Sequence, residues 1–181
     1  MSDFYSLESD SGYWEYVSPD FSKLPSKFRE ACISSNFQYI DKSPIKLEIL
    51  ENSGNIFPDF MYNVSESIPL ISNRLKNIFD DFNIDNLLYK RVNLFKKSTN
   101  VENLYWLALP PRIDCLDYEH STIDEIQNSV DTIRINSNNA GIYDIFKILG
   151  VNNNEIIITK RFFEYLSKYD NLESIYFTSI N

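Results

Sequence analysis

Apolar residues recur at helical spacing in two stretches of the chain, Ile71–Phe82 and Ile158–Tyr169. They occupy positions i, i+3, i+4 and i+7, namely Leu75, Ile78, Phe79 and Phe82 in the first stretch and Phe162, Tyr165, Leu166 and Tyr169 in the second. Each set forms one apolar stripe on a helix. Ser72 or Thr159 precedes the stripe and can cap the helix by accepting a hydrogen bond from a first-turn N–H. The sequence therefore predicts two equivalent Ser/Thr-capped amphipathic helices.

The segments around these helices are short, apolar and bounded by turn residues, a pattern typical of β-strands. The predicted strands are Ile45–Leu50, Asn86–Phe95, Asn103–Pro110, Val130–Ile135, Ile142–Gly150 and Ser174–Ile180. A short helix is predicted over Ser26–Ser35. Helices set among strands in this way indicate an α+β fold with a mixed or antiparallel sheet. We expect residues 26–181 to form this domain and the polar, aromatic residues 1–25 to form an acidic arm or edge segment, giving one globular domain overall.

Both predicted helices carry an arginine in the first turn, Arg74 or Arg161, where the helix dipole disfavours a cation. Such a departure from local preference indicates either a structural ion pair with a carboxylate or a functional arginine. We favour the structural pair, but the sequence leaves both interpretations open.

Charge is distributed unevenly along the chain. It contains 26 acidic and 17 basic residues, for a net charge of −9. Residues 1–20 and 114–125 each contain five acidic residues and no basic one, so the remainder is about neutral. Two concentrated acidic stretches disfavour nucleic acid and anionic membranes as partners and favour a protein with a basic surface. The basic residues Lys90, Arg91, Lys96 and Lys97 alternate with aromatic ones, and we interpret them as strand-edge charges.

Several functional classes find little support in the sequence. No apolar run approaches the roughly 20 residues needed to span a bilayer, and the N-terminus lacks signal-peptide features, so we predict a cytoplasmic protein. The four glycines form no phosphate-binding loop, and we predict no cofactor. Cys32 and Cys115 occur in unrelated contexts, which predicts reduced, buried thiols and no disulfide or zinc site.

The segment Arg112–Glu125 holds the residues best suited to catalysis. Asp114, Asp117 and His120 could ligate a metal, and Ser121, His120 and Asp117 could form a proton relay. However, adjacent His and Ser side chains rarely face each other, and catalytic triads are assembled from distant segments. A calcium loop would also need a central glycine that is absent here. We therefore predict no catalytic residue and no metal, and interpret the segment as a solvated acidic loop or as an acidic loop that docks onto a protein.

Aromatic residues within acidic stretches are good candidates for binding a partner, because Trp and Tyr dominate interface hot spots. Trp106 lies in an apolar strand and is predicted to be core. The predicted binding residues are Tyr13, Trp14 and Glu15 in the arm, and Asp117, Tyr118, Glu119, Asp124 and Glu125 in the acidic loop.

Three segments follow one another in an order that resembles a known family: "PLISNRLKNIFDDFNIDNLLYKRV", "LYWLALPPRIDCLDYEHS" and "YDIFKILGVNNNEIIITKRFFEYLSKYDNLESIYFTSI". Over about residues 64–180 the chain resembles the bacterial polymorphic-toxin immunity proteins with the MXAN-type immunity domain, formerly a domain of unknown function. The family pattern has a Ser-led helix, a strand, a "Y…L…DCLD…S" segment, a further strand and a second Ser/Thr-led helix.

The resemblance implies a function in bacterial competition. It implies a protein without enzymatic activity that binds and neutralises a cognate antibacterial toxin domain by stoichiometric occlusion, and so protects the producing cell. The toxins of such systems are delivered by contact-dependent or secretion systems. Two other hypotheses remain open, namely an enzyme that reverses the toxin's modification and an adaptor or chaperone of a secretion system.

Overall fold

Two five-stranded sheets dominate the computed structural model, which describes residues 3–10, 14–41 and 43–180. Within these ranges the strands, numbered β1 to β12 in chain order, are Phe4–Glu8, Ile45–Glu48, Phe60–Asn63, Ile68–Ser72, Leu88–Lys96, Val101–Leu109, Arg112–Ile113, Thr122–Asp124, Ser129–Thr132, Ile145–Ile148, Ile156–Thr159 and Tyr176–Ile180. The α-helices α1 to α4 of the same ranges are Ser26–Ser34, Asn73–Asp81, Ser137–Ala140 and Lys160–Leu166. The predicted α+β class, the single domain and the two capped helices are confirmed.

The sheets are mixed, and each has one parallel pair at an edge. The first sheet has the strand order β7-β10-β11-β1-β12, with β7 parallel to β10. The second has the order β3-β4-β6-β5-β2, with β2 parallel to β5. The remaining neighbours in both sheets are antiparallel. Strands β8 and β9 form a separate hairpin.

The same supersecondary unit is built twice. In the second sheet, the hairpin β3-β4 leads into α2, and the chain returns as β5 on the far side of β6. In the first sheet, the hairpin β10-β11 leads into α4, and the chain returns as β12 on the far side of β1. The strand enclosed by each unit is therefore β6 in one copy and the N-terminal β1 in the other.

The position of β1 differs from the expectation that residues 1–25 form an arm or edge segment. Residues Phe4–Glu8 lie between β11 and β12, inside the first sheet. Phe4, Ser6 and Leu7 are buried. The strand is only five residues long and has acidic residues on both sides, so its apolar pattern was too short to separate from the polar segment around it.

Helices α2 and α4 meet in a central core between the two sheets. The ring centroids of Phe79 and Phe162 are 5.1 Å apart, those of Phe82 and Phe162 are 4.9 Å apart, and those of Phe82 and Tyr165 are 4.8 Å apart. The predicted apolar stripes are thus buried against each other. On the outer faces, α1 covers the second sheet and residues 113–140 cover the first.

A buried carboxylate anchors the start of α2. Asp59 lies immediately before β3 and accepts a hydrogen bond from Ser72 Oγ at 2.6 Å, while Ser72 Oγ accepts from Leu75 N at 3.0 Å. Arg74 donates to the second oxygen of Asp59 at 3.3 Å, and Glu173 N donates to that oxygen at 3.1 Å. Asp59 therefore satisfies the helix cap and holds the first-turn arginine as well.

The second copy repeats this arrangement at the start of α4. Asp144 lies immediately before β10 and accepts from Thr159 Oγ1 at 2.6 Å. Arg161 Nε donates to the same carboxylate at 2.5 Å, and this hydrogen bond raises the pKa of Arg161 above its ordinary value. Both first-turn arginines consequently form structural ion pairs, which was the favoured interpretation.

Two of the four basic residues interpreted as strand-edge charges are buried, while Arg91 and Lys97 are exposed. Strand β5 is an interior strand between β2 and β6, and both Lys90 and Lys96 are buried. Lys90 Nζ donates to the backbone oxygen of Asp41 at 2.6 Å and to its carboxylate at 3.0 Å. These ammonium groups are bound to loop oxygens, an arrangement the local sequence of β5 does not reveal.

Other expectations concern thiols and membrane segments. Cys32 and Cys115 are both buried and form no disulfide, as predicted, and burial raises the pKa of each thiol to about 12. Among the described residues, none of the helices has the length and apolar character needed to cross a bilayer.

Candidate functional site

The N-terminal segment reaches the second sheet through a short backbone ladder with the turn 53–56. Glu15 O accepts hydrogen bonds from Asn55 N and Ile56 N, each at 2.9 Å. Gly54 N donates to Tyr16 O at 3.0 Å, and Val17 N donates to Ile56 O at 2.9 Å. The position of Trp14 and Glu15 on the surface is therefore set by main-chain contacts with this turn.

Lys96 fixes the turn from the opposite side. Its ammonium donates to Ser53 O at 3.0 Å, to Gly54 O at 3.1 Å and to Asn55 Oδ1 at 3.1 Å. A buried cation is costly unless it is hydrogen-bonded, and three oxygens of one turn meet that need. The C-terminal end of β5 is thereby connected to the N-terminal segment through the turn 53–56.

Gly54 is expected to be essential for this ladder. A Cβ at this position would lie 1.8 Å from Glu15 O, so Gly54→Ala must displace the N-terminal segment. We expect the free energy of unfolding to fall by about 2–3 kcal/mol, because overpacking is added to the loss of the ladder hydrogen bonds. Urea denaturation measures this change. Asn52 is exposed and lies just before this turn, so Asn52→Ala should change the free energy of unfolding by less than about 0.5 kcal/mol. Equal effects of the two substitutions would contradict an essential role for Gly54.

An open groove lies between the N-terminal segment and the β3-β4 hairpin. Its volume is about 760 Å³. The described residues that line it include three carboxylates, Asp10, Asp20 and Glu66, and neither Lys nor Arg. Glu66 is paired with Arg29 at 3.0 Å, behind the groove. The groove thus presents negative charge to the solvent.

Two of the three predicted binding residues of the arm, Trp14 and Glu15, lie at this groove or next to it. Trp14 lines the groove, and 79% of its surface is exposed. Glu15 is half-buried, with its backbone oxygen in the ladder. Tyr13 lies outside the described residues. Trp106, predicted to be core, is partly buried against the central cluster and donates from Nε1 to Asn73 Oδ1 at 3.0 Å.

The acidic loop begins with two buried residues that hold it to the first sheet. Cys115 and Leu116 pack in the outer cluster of that sheet. Asp117 N donates to Arg134 O at 2.8 Å, and Asp117 Oδ2 lies 2.8 Å from His120 Nδ1. The hydrogen bond to His120 holds the pKa of Asp117 below its ordinary value. Tyr118 and Glu119 between them are exposed.

The remaining predicted loop residues lie in the β8-β9 hairpin. Asp124 Oδ1 accepts from Ile126 N at 2.9 Å and from Gln127 N at 3.1 Å, and so shapes the hairpin turn. Glu125 is exposed, and 98% of the surface of Ile126 is exposed. The predicted loop residues therefore divide into two that shape backbone turns, Asp117 and Asp124, and three exposed ones, Tyr118, Glu119 and Glu125.

The catalytic alternatives within this loop meet a geometric obstacle. Ser121 Oγ accepts from Arg134 N at 3.1 Å and lies 3.4 Å from Arg134 O, so the hydroxyl is used to hold the loop to the backbone of Arg134. Within the described ranges, no three or more His, Cys, Asp or Glu side chains gather in a way that could hold a metal ion.

A turn connects the two acidic surfaces. Asn154 Nδ2 donates to Val64 O, at the rim of the groove, at 3.1 Å. Asn153 Oδ1 accepts from Val130 N, in the hairpin that follows the acidic loop, at 2.6 Å. Arg112 Nη1 donates to Asn153 O at 3.0 Å, and Arg112 Nη2 donates to Asn154 Oδ1 at 2.5 Å. The Asn153–Asn154 turn is thus held between the two surfaces by a half-buried arginine.

The groove was not predicted from the sequence, although part of it lies in the acidic N-terminal stretch. Asp10 and Asp20 were recognised there only as charge, and Glu66 lies in the β3-β4 turn, outside either acidic stretch. Contacts between segments far apart in the chain bring these carboxylates to one cavity, among them the pairing of residues 15–17 with 54–56 and the hydrogen bond from Asp20 N to Glu48 O at 2.8 Å.

A comparison with protein-family models identifies the class of protein. The model of an immunity protein family, Imm11, matches residues 9–180. The chain therefore belongs to the Imm11 immunity protein family, and the predicted resemblance to an immunity protein family is confirmed. The match also includes most of the N-terminal third, which the resemblance over 64–180 left out. A search of the curated proteins finds no significant match.

Proposed function

We propose that the chain neutralises a cognate antibacterial toxin by binding it stoichiometrically, in the cytoplasm of the cell that produces both. Membership of an immunity protein family supports an immunity function and implies a toxin as partner. The proposed partner has a basic surface, and neither nucleic acid nor a membrane is proposed as a ligand. Occlusion of the toxin's active surface would suffice for protection without any reaction by the chain.

The proposal rests on the acidic and aromatic side chains exposed on the surface of a chain that belongs to an immunity protein family. The loop presents Tyr118, Glu119 and Glu125 to the solvent, and the N-terminal segment presents Trp14. Exposed aromatic anchors beside carboxylates suit a basic protein, since charge steers association and buried aromatic surface provides affinity.

Titration of the cognate toxin domain with the chain is the direct experiment. We expect the toxin's activity to fall linearly with added chain and to end at a 1:1 ratio. A chain that removed the toxin's effect at a small fraction of equimolar amount would act by turnover. That result would favour an enzyme that reverses the modification, and binding without loss of toxin activity would favour an adaptor.

Reversal of the exposed loop charges is expected to slow toxin association. In the double variant Glu119→Lys and Glu125→Lys, we expect the association rate constant at low salt to fall by about 10- to 100-fold, with a shallower salt dependence, because steering depends on complementary charge. Stopped-flow fluorescence over a range of salt concentrations measures both quantities. The exposed Asp85→Lys, in the loop before β5, is the matched control. An unchanged rate in the double variant would exclude the loop as the binding surface.

A further inference from the structure

We infer that the groove between the N-terminal segment and the β3-β4 hairpin receives a protruding basic segment of the toxin, one that carries Lys or Arg next to apolar side chains. This inference rests on the proposed function and specifies a second binding surface, separate from the acidic loop.

The negative charge of the groove indicates that its occupant is positively charged. Asp10, Asp20 and Glu66 line it, and no Lys or Arg does so among the described residues. Arg29 lies behind Glu66 and offsets one of these charges. A cation inside a concave, partly desolvated site interacts with carboxylates more strongly than on an open surface, because the walls exclude water and focus the field.

The apolar surface of the groove indicates that the occupant is more than a cation. Trp14, Leu50 and Val64 line it and expose 79%, 40% and 54% of their surfaces. Large exposed apolar side chains grouped around a concave site are typical of binding grooves. An indole face also attracts an arginine or lysine side chain through its quadrupole. A basic side chain flanked by apolar ones would complement both the carboxylates and the exposed apolar side chains of the groove.

The edge of the sheet indicates how the segment binds. Strand β3 is an edge strand that lines the groove, so an added β-strand is the obvious alternative mode of recognition. However, Tyr62 N donates to Ser9 Oγ at 3.0 Å, so this backbone donor of the outer edge is already occupied by the N-terminal segment. This contact opposes strand addition at Tyr62, so we expect the occupant to contact the groove mainly through its side chains.

The groove can be tested at Val64, which lies at its rim and whose side chain is mostly exposed. A catalytically inactive variant of the cognate toxin domain is the probe. We expect Val64→Lys to weaken its binding by roughly 30-fold or more, because the new cation repels a basic segment at the groove's mouth. Val101→Lys, at the exposed start of β6, is the matched control and should change the affinity by less than about 3-fold.

Charge can be removed from the groove wall with little change in shape. Asp20 accepts from Ser22 N at 3.2 Å at the start of a short 3₁₀ turn, and asparagine retains an oxygen that can accept this bond. We expect Asp20→Asn to weaken toxin binding by roughly 5-fold and to reduce its salt dependence. Asp85→Asn should leave both quantities unchanged.

A dye on the groove rim reports occupancy directly. The native thiols of Cys32 and Cys115 are fully buried, so an environment-sensitive maleimide would label Val64→Cys selectively. We expect a change in emission on addition of the toxin domain at position 64 and none with Val101→Cys. If Val64→Lys bound the toxin with wild-type affinity and the emission at position 64 stayed constant, the groove would not be a toxin-binding surface. The loop charge reversal would then still test the proposed function. A wild-type chain that bound no toxin would overturn both.

Discussion

Replacement of Asp59 by alanine is expected to lower the free energy of unfolding by about 3–4 kcal/mol, because a buried carboxylate with three partners is removed. Ser72 Oγ and Glu173 N would lose their acceptor, and Arg74 would lose its ion pair. Because Ser72 caps α2 and Glu173 lies after α4, the loss affects both copies of the repeated unit. Urea denaturation monitored by circular dichroism measures the change.

The second copy of the unit provides an internal comparison. Asp144 binds Thr159 and Arg161. Among the described residues no backbone N–H donates to its carboxylate as Glu173 N does to Asp59. We therefore expect Asp144→Ala to lower the free energy of unfolding by about 2–3 kcal/mol. Asp85→Ala removes an exposed carboxylate and should change stability by less than about 0.5 kcal/mol. If Asp59→Ala matched Asp85→Ala, the first-turn arginines would have no structural need for their carboxylates, and a functional role would become the better interpretation.

Replacement of Lys147 by methionine is expected to stabilise the protein at pH 6 by roughly 2 kcal/mol. Lys147 lies on β10 with its side chain fully buried, and its ammonium donates to Ser67 Oγ and, at 3.3 Å, to Ser67 O. Burial, together with the positive charge of nearby Arg112, lowers the pKa of Lys147 from 10.5 to about 7. A shift of this size corresponds to a penalty of up to about 4–5 kcal/mol below pH 7, of which lost hydrogen bonds to Ser67 would offset part.

The pH dependence separates this explanation from simple repacking. Between pH 7 and 10.5 the unfolded chain keeps the Lys147 proton that the folded chain releases, so this group makes the wild type more stable as pH rises. The advantage of Lys147→Met should therefore shrink by up to about 1.4 kcal/mol per pH unit above pH 7 and stay constant below pH 7.

Other groups near Lys147 also titrate and must be separated from it. Burial raises the pKa of Cys32 to about 12 and raises that of Tyr62 above its ordinary value. Each of these groups makes the folded protein less stable in alkali, once the thiol and the phenol begin to lose their protons in the unfolded chain. Below about pH 8 both groups stay protonated in the folded and the unfolded chain, so the difference between the two proteins isolates Lys147 there. Denaturation in urea from pH 6 to pH 8 gives this difference. A constant difference over that range would mean that Lys147 stays charged in the fold.

The predictions made from the sequence succeeded where the signal is local. The stripes of α2 and α4 and the caps Ser72 and Thr159 depend on residues at most seven positions apart, and periodicity and capping chemistry act within that distance. Six of the twelve strands in the described ranges were also predicted, because strand patterns are local. The concentration of acidic residues in two stretches is likewise a property of the sequence itself.

Part of the structure depends on residues that are far apart in the chain. Asp59 and Asp144 precede their hydroxyl partners by 13 and 15 positions, and only the turn of each hairpin brings them together. An aspartate before an apolar strand in "PDFMY" and "YDIFK" was the available signal, but without the paired strands it had no partner. The burial of Lys90, Lys96 and Lys147 against loop oxygens is nonlocal in the same way.

The sequence alone determined the α+β class, the two capped helices and the segregation of acidic charge, because each follows from the order and spacing of neighbouring residues. Only the tertiary structure decided that β1 completes the second copy of the unit, that the first-turn arginines are paired, and that Asp10, Asp20 and Glu66 meet around Trp14 in one groove. These features arise from strand neighbours and loop contacts between distant segments. Their formation depends on packing the whole chain, which local preference does not encode.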